Sequence, residues 1–188
     1  MTGFETLEVL PGEVAVVRLN RPAVSNALNT RMAEELITVF EGFAMAAGGT
    51  RCIVLTGAGE KAFCAGGDLK QRQGMTEAAW AAQHLVFERM ARALLDCPVP
   101  LIAAVNGAAY GGGCEIAAAC DFAYAAEHVR FALTEVTLGI LPGAGGTQTL
   151  SRAMGERRAK ELILTGRPFS AAEAERWGWS MPWSRRTG

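Results

Sequence analysis

Two glycine-rich turns in the sequence have the composition of a site that binds a negatively charged oxygen. Residues 65–70 contain Gly66 and Gly67, and residues 111–115 begin with three glycines. Each turn lies between a predicted buried strand and a predicted helix, where glycine lets the backbone N–H groups approach a ligand. Two such groups converging on one oxygen would form an oxyanion hole, in which each donor contributes about 2.7–4 kcal/mol of transition-state stabilisation. Alternatively, the glycines serve only tight turns and close packing.

Two glutamates have different sequence contexts. Glu115 follows the second glycine turn and falls in the first turn of an otherwise apolar predicted helix. The helix dipole favours a carboxylate there, so the pattern predicts an ionised Glu115, which could equally be an ordinary residue satisfying backbone donors. Glu135 stands between the apolar residues 131–133 and 136–138. Taken by itself, this pattern predicts an outward-facing surface side chain.

Other motifs with known chemistry are incomplete in this sequence. Residues 57–62 match a loose dinucleotide-binding pattern after a predicted strand, but residues 63–67 follow in place of a helix. Residues 143–147 lack the lysine of a phosphate-binding loop, and no G-x-S-x-G motif occurs. His84, one of two histidines, falls within a predicted helix, which favours packing or a surface position over a role as a base. The sequence therefore predicts neither a hydrolase triad nor a metal site.

The elements that must position these residues alternate between strand and helix. Residues 52–55 and 101–105 are short apolar runs of the kind found in parallel sheets covered on both faces. Hairpin strands are predicted at 4–10 and 14–19, and further strands at 122–125 and 130–133. Helices are predicted at 76–95, from about 115 to 119, at 148–154 and at 156–164. Two more helices are predicted from their caps, one after Asn29 or Thr30 and one after a capping box formed by Ser170 and Glu173. With no linker and no internal repeat, the pattern predicts one α/β domain.

The composition limits the classes of partner. The 188 residues carry a formal net charge of −1, which predicts no nucleic-acid surface, and no apolar run is long enough to predict a membrane span. The N-terminus lacks the pattern of a signal peptide. Five cysteines without paired or metal-ligand spacing predict free thiols in a reducing compartment, and we therefore expect a cytoplasmic protein.

Several segments, taken in order, carry a family resemblance. They are residues 17–22, 26–29, 62–70, 100–107, 111–115, 119–121, 135, 139, 142–148 and 164–166. Their order and composition resemble the crotonase superfamily, the enoyl-CoA hydratases and isomerases, over about residues 4–178. The resemblance implies an α/β fold of stacked ββα units.

The resemblance also implies a role for each matching residue. The backbone N–H groups of Gly67 and Gly112 would bind the thioester oxygen of an acyl-CoA. Glu115 would act as general base on a water molecule, and Glu135 would supply a proton to the α-carbon. The remaining matches, which fall where relatives bind CoA, are Ala27, Ala65, Asp68, Leu69 and Lys70. No separate cofactor is implied, because CoA is part of the substrate.

Two glutamates at these positions favour hydration of a 2-enoyl-CoA over related reactions. Isomerases and other enzymes of this fold generally keep the oxyanion hole and alter one carboxylate. The alternatives left open are another acyl-CoA reaction, such as isomerisation, and an inactive CoA-binding protein. Relatives are trimers or hexamers, so we expect a homo-oligomer of the full-length form.

The last ten residues do not match the family pattern. We expect a crotonase-like core at residues 1–178 and an unrelated tail at 179–188, with most of the C-terminal helical module missing. A shifted reading frame of a back-translated tail gives a family-like continuation, which indicates a single-base deletion near Gly178. Sequencing the gene tests this hypothesis. Without the helices that normally cover the pocket, we expect weak activity or none from the 188-residue chain.

Overall fold

The computed structural model describes residues 3–181 of the chain. Its strands are β1 (Leu7–Leu10), β2 (Val14–Leu19), β3 (Cys52–Gly57), β4 (Ala62–Cys64), β5 (Leu101–Val105), β6 (Ala108–Tyr110), β7 (Phe122–Ala125), β8 (Arg130–Ala132) and β9 (Phe169–Ser170). Its helices are α1 (Thr30–Met45), α2 (Leu69–Arg72), α3 (Glu77–Leu95), α4 (Gly112–Ala119), α5 (Gly146–Met154), α6 (Glu156–Thr165) and α7 (Ala171–Arg176). Short 3-10 turns occupy Pro22–Val24 and Glu135–Leu138.

The larger sheet has the strand order β1-β2-β3-β5-β7. Its strands pair in parallel, except that β1 forms an antiparallel hairpin with β2. Ile53 and Leu55 of β3 are fully buried, as are Val17 and Leu19 of β2. Burial of these apolar side chains explains why short strands of low polarity form the centre of the domain.

The smaller sheet has the strand order β4-β6-β8-β9, with β4, β6 and β8 parallel to one another. Consecutive strands alternate between the sheets: β3 is followed by β4, β5 by β6, and β7 by β8. Each pair thus contributes one strand to each sheet. This arrangement agrees with the predicted α/β fold of stacked ββα units.

The helices begin largely where the sequence predicts. Asn29 caps α1 by accepting a hydrogen bond from the Met32 N–H at 2.9 Å, and Thr76 caps α3. Ser170 and Glu173 form the predicted capping box at α7. Some boundaries differ: β1 begins at Leu7, α4 begins at Gly112, before Glu115, and α5 begins at Gly146, before the predicted start at 148. None of the helices in residues 3–181 is long and apolar enough to cross a membrane.

Residues 179–181 pack against the domain. The Trp179 side chain is 5% exposed, and its ring centroid lies 4.4 Å from that of Phe131. The Met181 N–H donates a hydrogen bond to the Ala123 carbonyl at 2.7 Å. Residues 182–188 of the predicted tail lie outside the described residues, so the boundary at 178 and the frameshift remain predictions.

Candidate active site

One cavity of about 530 Å³ collects the residues that the sequence singled out. Gly67, Gly112, Glu115 and Glu135 all line it. They come from three places: the turn after β4, the first turn of α4, which carries both Gly112 and Glu115, and the 3-10 turn after β8. The parallel strands place these turns at one end of the smaller sheet. The fold therefore brings together two glycine turns and two carboxylates that are as far apart in the sequence as Gly67 and Glu135, which are separated by 68 positions (135 − 67).

The first glycine turn is held by the chain segment at Leu28. The Leu28 N–H donates to the Gly66 carbonyl at 2.8 Å, and the Asp68 N–H donates to the Leu28 carbonyl at 2.9 Å. Gly67, between these two bonds, donates no hydrogen bond from its own N–H to any described residue. Gly66 has a φ of +91°, and a Cβ there would lie 2.7 Å from the Tyr110 carbonyl oxygen, so only glycine fits.

The second glycine turn lies directly against the first. A Cβ built on Gly66 would lie 3.4 Å from the Gly112 amide nitrogen, and one built on Gly112 would lie 4.0 Å from the Gly67 amide nitrogen. The Gly112 N–H, at the start of α4, likewise donates to no acceptor within residues 3–181. At the next position, a Cβ on Gly113 would lie 2.1 Å from the Cys64 carbonyl oxygen, which fixes α4 against β4. Two unpaired amides thus sit side by side at the cavity wall.

Glu115 is buried, and one of its carboxylate oxygens is firmly held. The side chain is 3% exposed, and its Oε1 accepts hydrogen bonds from the Ala144 N–H at 2.8 Å and the Gly146 N–H at 2.9 Å. Burial raises the pKa of Glu115 to about 7; the nearby Glu135 adds to the rise, and the backbone hydrogen bonds oppose it. With this pKa, the protonated and ionised forms of Glu115 are both populated near neutral pH, whereas its place in the first turn of α4 predicts the ionised form.

Glu135 is also buried, contrary to the surface position that its local pattern predicts. It opens the 3-10 turn Glu135–Leu138, which interrupts the strand-like alternation, and its side chain is 8% exposed. Its Oε2 is buried without a hydrogen-bond partner among the described residues. Burial raises the pKa of Glu135, while its own backbone N–H and the positive charge of Arg72 act in the opposite direction.

The five residues expected at the CoA site divide into two groups. Ala65 and Leu69 line the cavity, whereas Ala27, Asp68 and Lys70 do not. Asp68 caps α2 through the Lys70 and Gln71 N–H groups, and its Oδ2 lies 2.9 Å from Nη1 of Arg21. Although burial acts to raise the pKa of Asp68, the hydrogen bonds from Arg21 and α2 outweigh it and lower the pKa.

Three features of the cavity are not evident from the sequence. The amides of Ala144 and Gly146 hold Glu115, and the glycine-rich stretch 142–147 is the signal that could have indicated them. Arg72 brings a positive charge to the cavity wall. His84 also lines the cavity, with its ring stacked on Trp80 at a centroid distance of 5.4 Å.

The cysteines are free thiols in a packing environment. Cys64, Cys114 and Cys120 are buried, and Cys52 and Cys97 are half-buried. Burial raises the pKa of Cys64 to about 11 and also raises that of Cys114 well above its ordinary value, so both remain protonated at neutral pH. Within residues 3–181, no group of three or more histidine, cysteine, aspartate or glutamate side chains could hold a metal ion.

Comparison with known proteins identifies the family that shares this fold. A family model described as enoyl-CoA hydratase/isomerase matches residues 10–181 of the sequence. The chain belongs to the enoyl-CoA hydratase/isomerase family. The crotonase resemblance read from the ordered motifs is thereby confirmed.

Individual members of the enoyl-CoA hydratase/isomerase family match most of this chain. It is 44% identical over 167 residues to the short-chain-enoyl-CoA hydratase of Clostridium acetobutylicum, covering 89% of this chain and 64% of that protein. It is 43% identical over 169 residues to the mitochondrial enoyl-CoA hydratase of Pongo abelii, covering 88% and 56% respectively. The crystal structure of enoyl-CoA hydratase from Bacillus anthracis superposes with a TM-score of 0.90 at 45% identity, covering 94% of this chain and 69% of that one. The chain thus spans less than two thirds of the length of the two curated relatives named.

Proposed function

We propose that the protein is an enoyl-CoA hydratase, which adds water across the 2,3-double bond of an enoyl-CoA thioester. The observation that carries the proposal is the meeting of two unpaired amides, at Gly67 and Gly112, with two buried carboxylates, at Glu115 and Glu135, in one cavity. Each of these groups has a separate task in the reaction.

The amides would stabilise the charge that forms on the thioester oxygen. When water adds to the β-carbon of an enoyl thioester, the electron pair of the double bond moves to give an enolate, whose oxygen is negative. The Gly67 and Gly112 N–H groups are fixed before the reaction by the hydrogen bonds at Leu28 and by the packing of α4 on β4. Donors that need no rearrangement stabilise the transition state more than the uncharged carbonyl of the substrate.

The glutamates would move the protons. Glu115, whose pKa is about 7, is ionised in about half of the molecules at neutral pH and can take a proton from water as its oxygen bonds to the β-carbon. Glu135, whose pKa is raised by burial, would give a proton to the α-carbon of the enolate. The product is a 3-hydroxyacyl-CoA, and transfer of one proton from Glu115 to Glu135, directly or through water, restores the starting state.

Two carboxylates favour hydration over isomerisation. Moving a double bond requires one group that removes a proton from one carbon and returns it to another. Adding water requires one group to activate the water and a second to protonate the α-carbon. Glu115 and Glu135 are both buried, and each has its pKa raised, as two proton-transfer groups require.

The acyl-CoA would lie along the turn after β4. Ala65 and Leu69 line the cavity beside Gly67, and Lys70, the exposed neighbour of Leu69, would contact a phosphate of CoA. Ala27 and Asp68, which do not line the cavity, would support this surface from the side away from the substrate. In this proposal no cofactor is added, because CoA is part of the substrate.

Hydration of crotonyl-CoA by the purified 188-residue chain tests the proposal. The expected result is a weak rate, still above that of buffer, which Glu115→Gln and Glu135→Gln each lower strongly while crotonyl-CoA still binds. The exposed Glu127→Gln, between β7 and β8, is the matched control and should leave the rate unchanged. Binding of crotonyl-CoA without hydration, or a rate that survives in both cavity variants, would contradict the assignment. Conversion of a 3-enoyl-CoA without hydration would instead assign isomerase activity.

A further inference from the structure

Arg72 introduces a cation into a cavity whose wall is otherwise mainly apolar. It is the last residue of α2, is half-buried and lines the cavity with Phe87 and Leu141. A Cβ built on Gly67 would lie 3.4 Å from the guanidinium carbon, so the charge sits beside the turn that carries one of the two unpaired amides. Burying a charge is unfavourable, and its presence here requires a compensating interaction.

The guanidinium is held in place from behind. Its Nε donates to Oε1 of Gln83 at 3.1 Å, and its carbon lies 5.3 Å from the centroid of the Phe87 ring. Gln83, which is 4% exposed, is fixed in turn by hydrogen bonds from its Nε2 to Thr30 Oγ1 at 2.9 Å and to Gln71 Oε1 at 3.1 Å. A long, flexible side chain is thereby oriented before any ligand enters.

The outer edge of the guanidinium has no partner. No carboxylate within residues 3–181 lies within 4.0 Å of Arg72, and its two terminal nitrogens make no hydrogen bond to the described residues. By contrast, Arg21, Arg89 and Arg167 each form an ion pair. Glu135 influences Arg72 only through its electrostatic field. The two terminal nitrogens therefore offer a planar pair of donors of the kind that binds a carboxylate in two-point fashion.

We propose that Arg72 binds a carboxylate at the far end of the acyl chain, so that the preferred substrate is the CoA thioester of an unsaturated dicarboxylic acid. The inference rests on the proposed function, which places the thioester oxygen at Gly67 and Gly112. Leu138, Ile140 and Leu141 supply the apolar wall for the intervening carbons. Arg72 also offsets the repulsion that Glu115 and Glu135 exert on a second carboxylate. The exposed Lys70 is the alternative cation, and the one that the proposed function assigns to the CoA phosphates.

Two saturated thioesters of equal length test the proposal without requiring turnover. Glutaryl-CoA and pentanoyl-CoA differ only in a terminal carboxylate in place of a methyl group. By calorimetry, we expect the 188-residue chain to bind glutaryl-CoA about tenfold or more tightly than pentanoyl-CoA, the size expected of a hydrogen-bonded charge pair. Arg72→Met should remove the preference by weakening only glutaryl-CoA binding, and Arg72→Lys should retain part of it.

The controls separate this proposal from its alternatives. Arg92→Met makes the same charge change on the exposed face of α3 and should leave the preference intact. Equal binding of the two thioesters by the unaltered chain, or equal weakening of both by Arg72→Met, would overturn the proposal, since the second result would assign Arg72 to the CoA portion. Hydration of crotonyl-CoA is independent of these outcomes, whereas failure of both thioesters to bind would contradict the hydratase assignment as well.

Discussion

Glu115 and Glu135 bring the same functional group to the same cavity, but the chain holds them by different means. Oε1 of Glu115 accepts hydrogen bonds from two backbone amides, at Ala144 and Gly146, and these fix the direction of the carboxylate. Glu135 leaves Oε2 buried without a partner among the described residues, and its carboxyl group is influenced by its own backbone N–H and by the positive charge of Arg72. Burial raises the pKa of both. Burial therefore raises the proton affinity of both glutamates, while hydrogen bonds from another segment of the chain fix the direction of Glu115.

This difference suits the two proposed tasks. A base that activates water must point at one place, because misplacement of a reacting group by about 1 Å can cost about a hundredfold in rate. A proton donor to the α-carbon gains from an oxygen that no protein donor already occupies. The direction of each carboxylate and its proton affinity should therefore be separable by mutation.

The largest expected effect is that the two glutamates are required for different reactions. Glu115→Gln should lower the hydration of crotonyl-CoA by about 10²–10⁴-fold, the usual contribution of a general base. The same variant should still exchange the α-protons of butyryl-CoA in D₂O, since that exchange requires only Glu135 and the oxyanion hole. Glu135→Gln should lose both activities. NMR follows the exchange, and loss of exchange in Glu115→Gln would contradict the division of roles.

Stability should depend on the protonation of Glu115. Because its pKa rises from 4.5 to about 7 on folding, the folded state binds this proton more tightly than the unfolded state does. The resulting stability is fully present below pH 4.5 and is lost as the pH rises to 7. Glu115→Gln should therefore raise the free energy of unfolding by roughly 3 kcal/mol at pH 8 and by little at pH 4. Urea denaturation at the two pH values measures this, and equal stabilities at pH 8 would show that burial does not disfavour the charge.

A change at the backbone amides that hold Glu115 should alter the direction of its carboxylate more than its pKa. A Cβ on Gly146 would lie 2.8 Å from Cγ of Glu115 and 2.9 Å from its Oε1, so Gly146→Ala must displace the carboxylate. We expect hydration to fall about ten- to a hundredfold with binding of crotonyl-CoA retained. Gly42→Ala, in α1, meets no atom within 4 Å and serves as the control. An unchanged rate in Gly146→Ala would show that the support at Gly146 is unimportant.

The smallest expected effect is the dependence of rate on pH. If Glu115 acts as the base, kcat/KM for crotonyl-CoA should rise with pH and reach half of its plateau near pH 7, because the deprotonated form is the active one. Between pH 7 and the plateau the gain is only about twofold. A kcat/KM that is flat between pH 6 and 8 would assign the base to another group.

The sequence predicts the scaffold better than the environment of the site. Apolar runs and caps, such as Asn29 and the Ser170–Glu173 box, are local signals, and the corresponding elements form where they indicate. Burial of Glu135 could not be predicted from its neighbours, because a 3-10 turn breaks the alternation that made it appear outward-facing. Arg72 lies between two glutamines, a run typical of a solvated surface, and only the contacts with Gln83 and Phe87 reveal its place in the cavity.

The hydrogen bonds that hold Glu115 also bear on when the protein gains activity as it folds. The amides that align this carboxylate belong to residues 29 and 31 positions further along the chain. A partly folded molecule in which the two sheets have assembled, but the segment near residue 145 has not docked, would contain every reactive group without an aligned base. Recovery of hydration during refolding should then lag behind the formation of secondary structure, so that catalysis itself reports the final docking event.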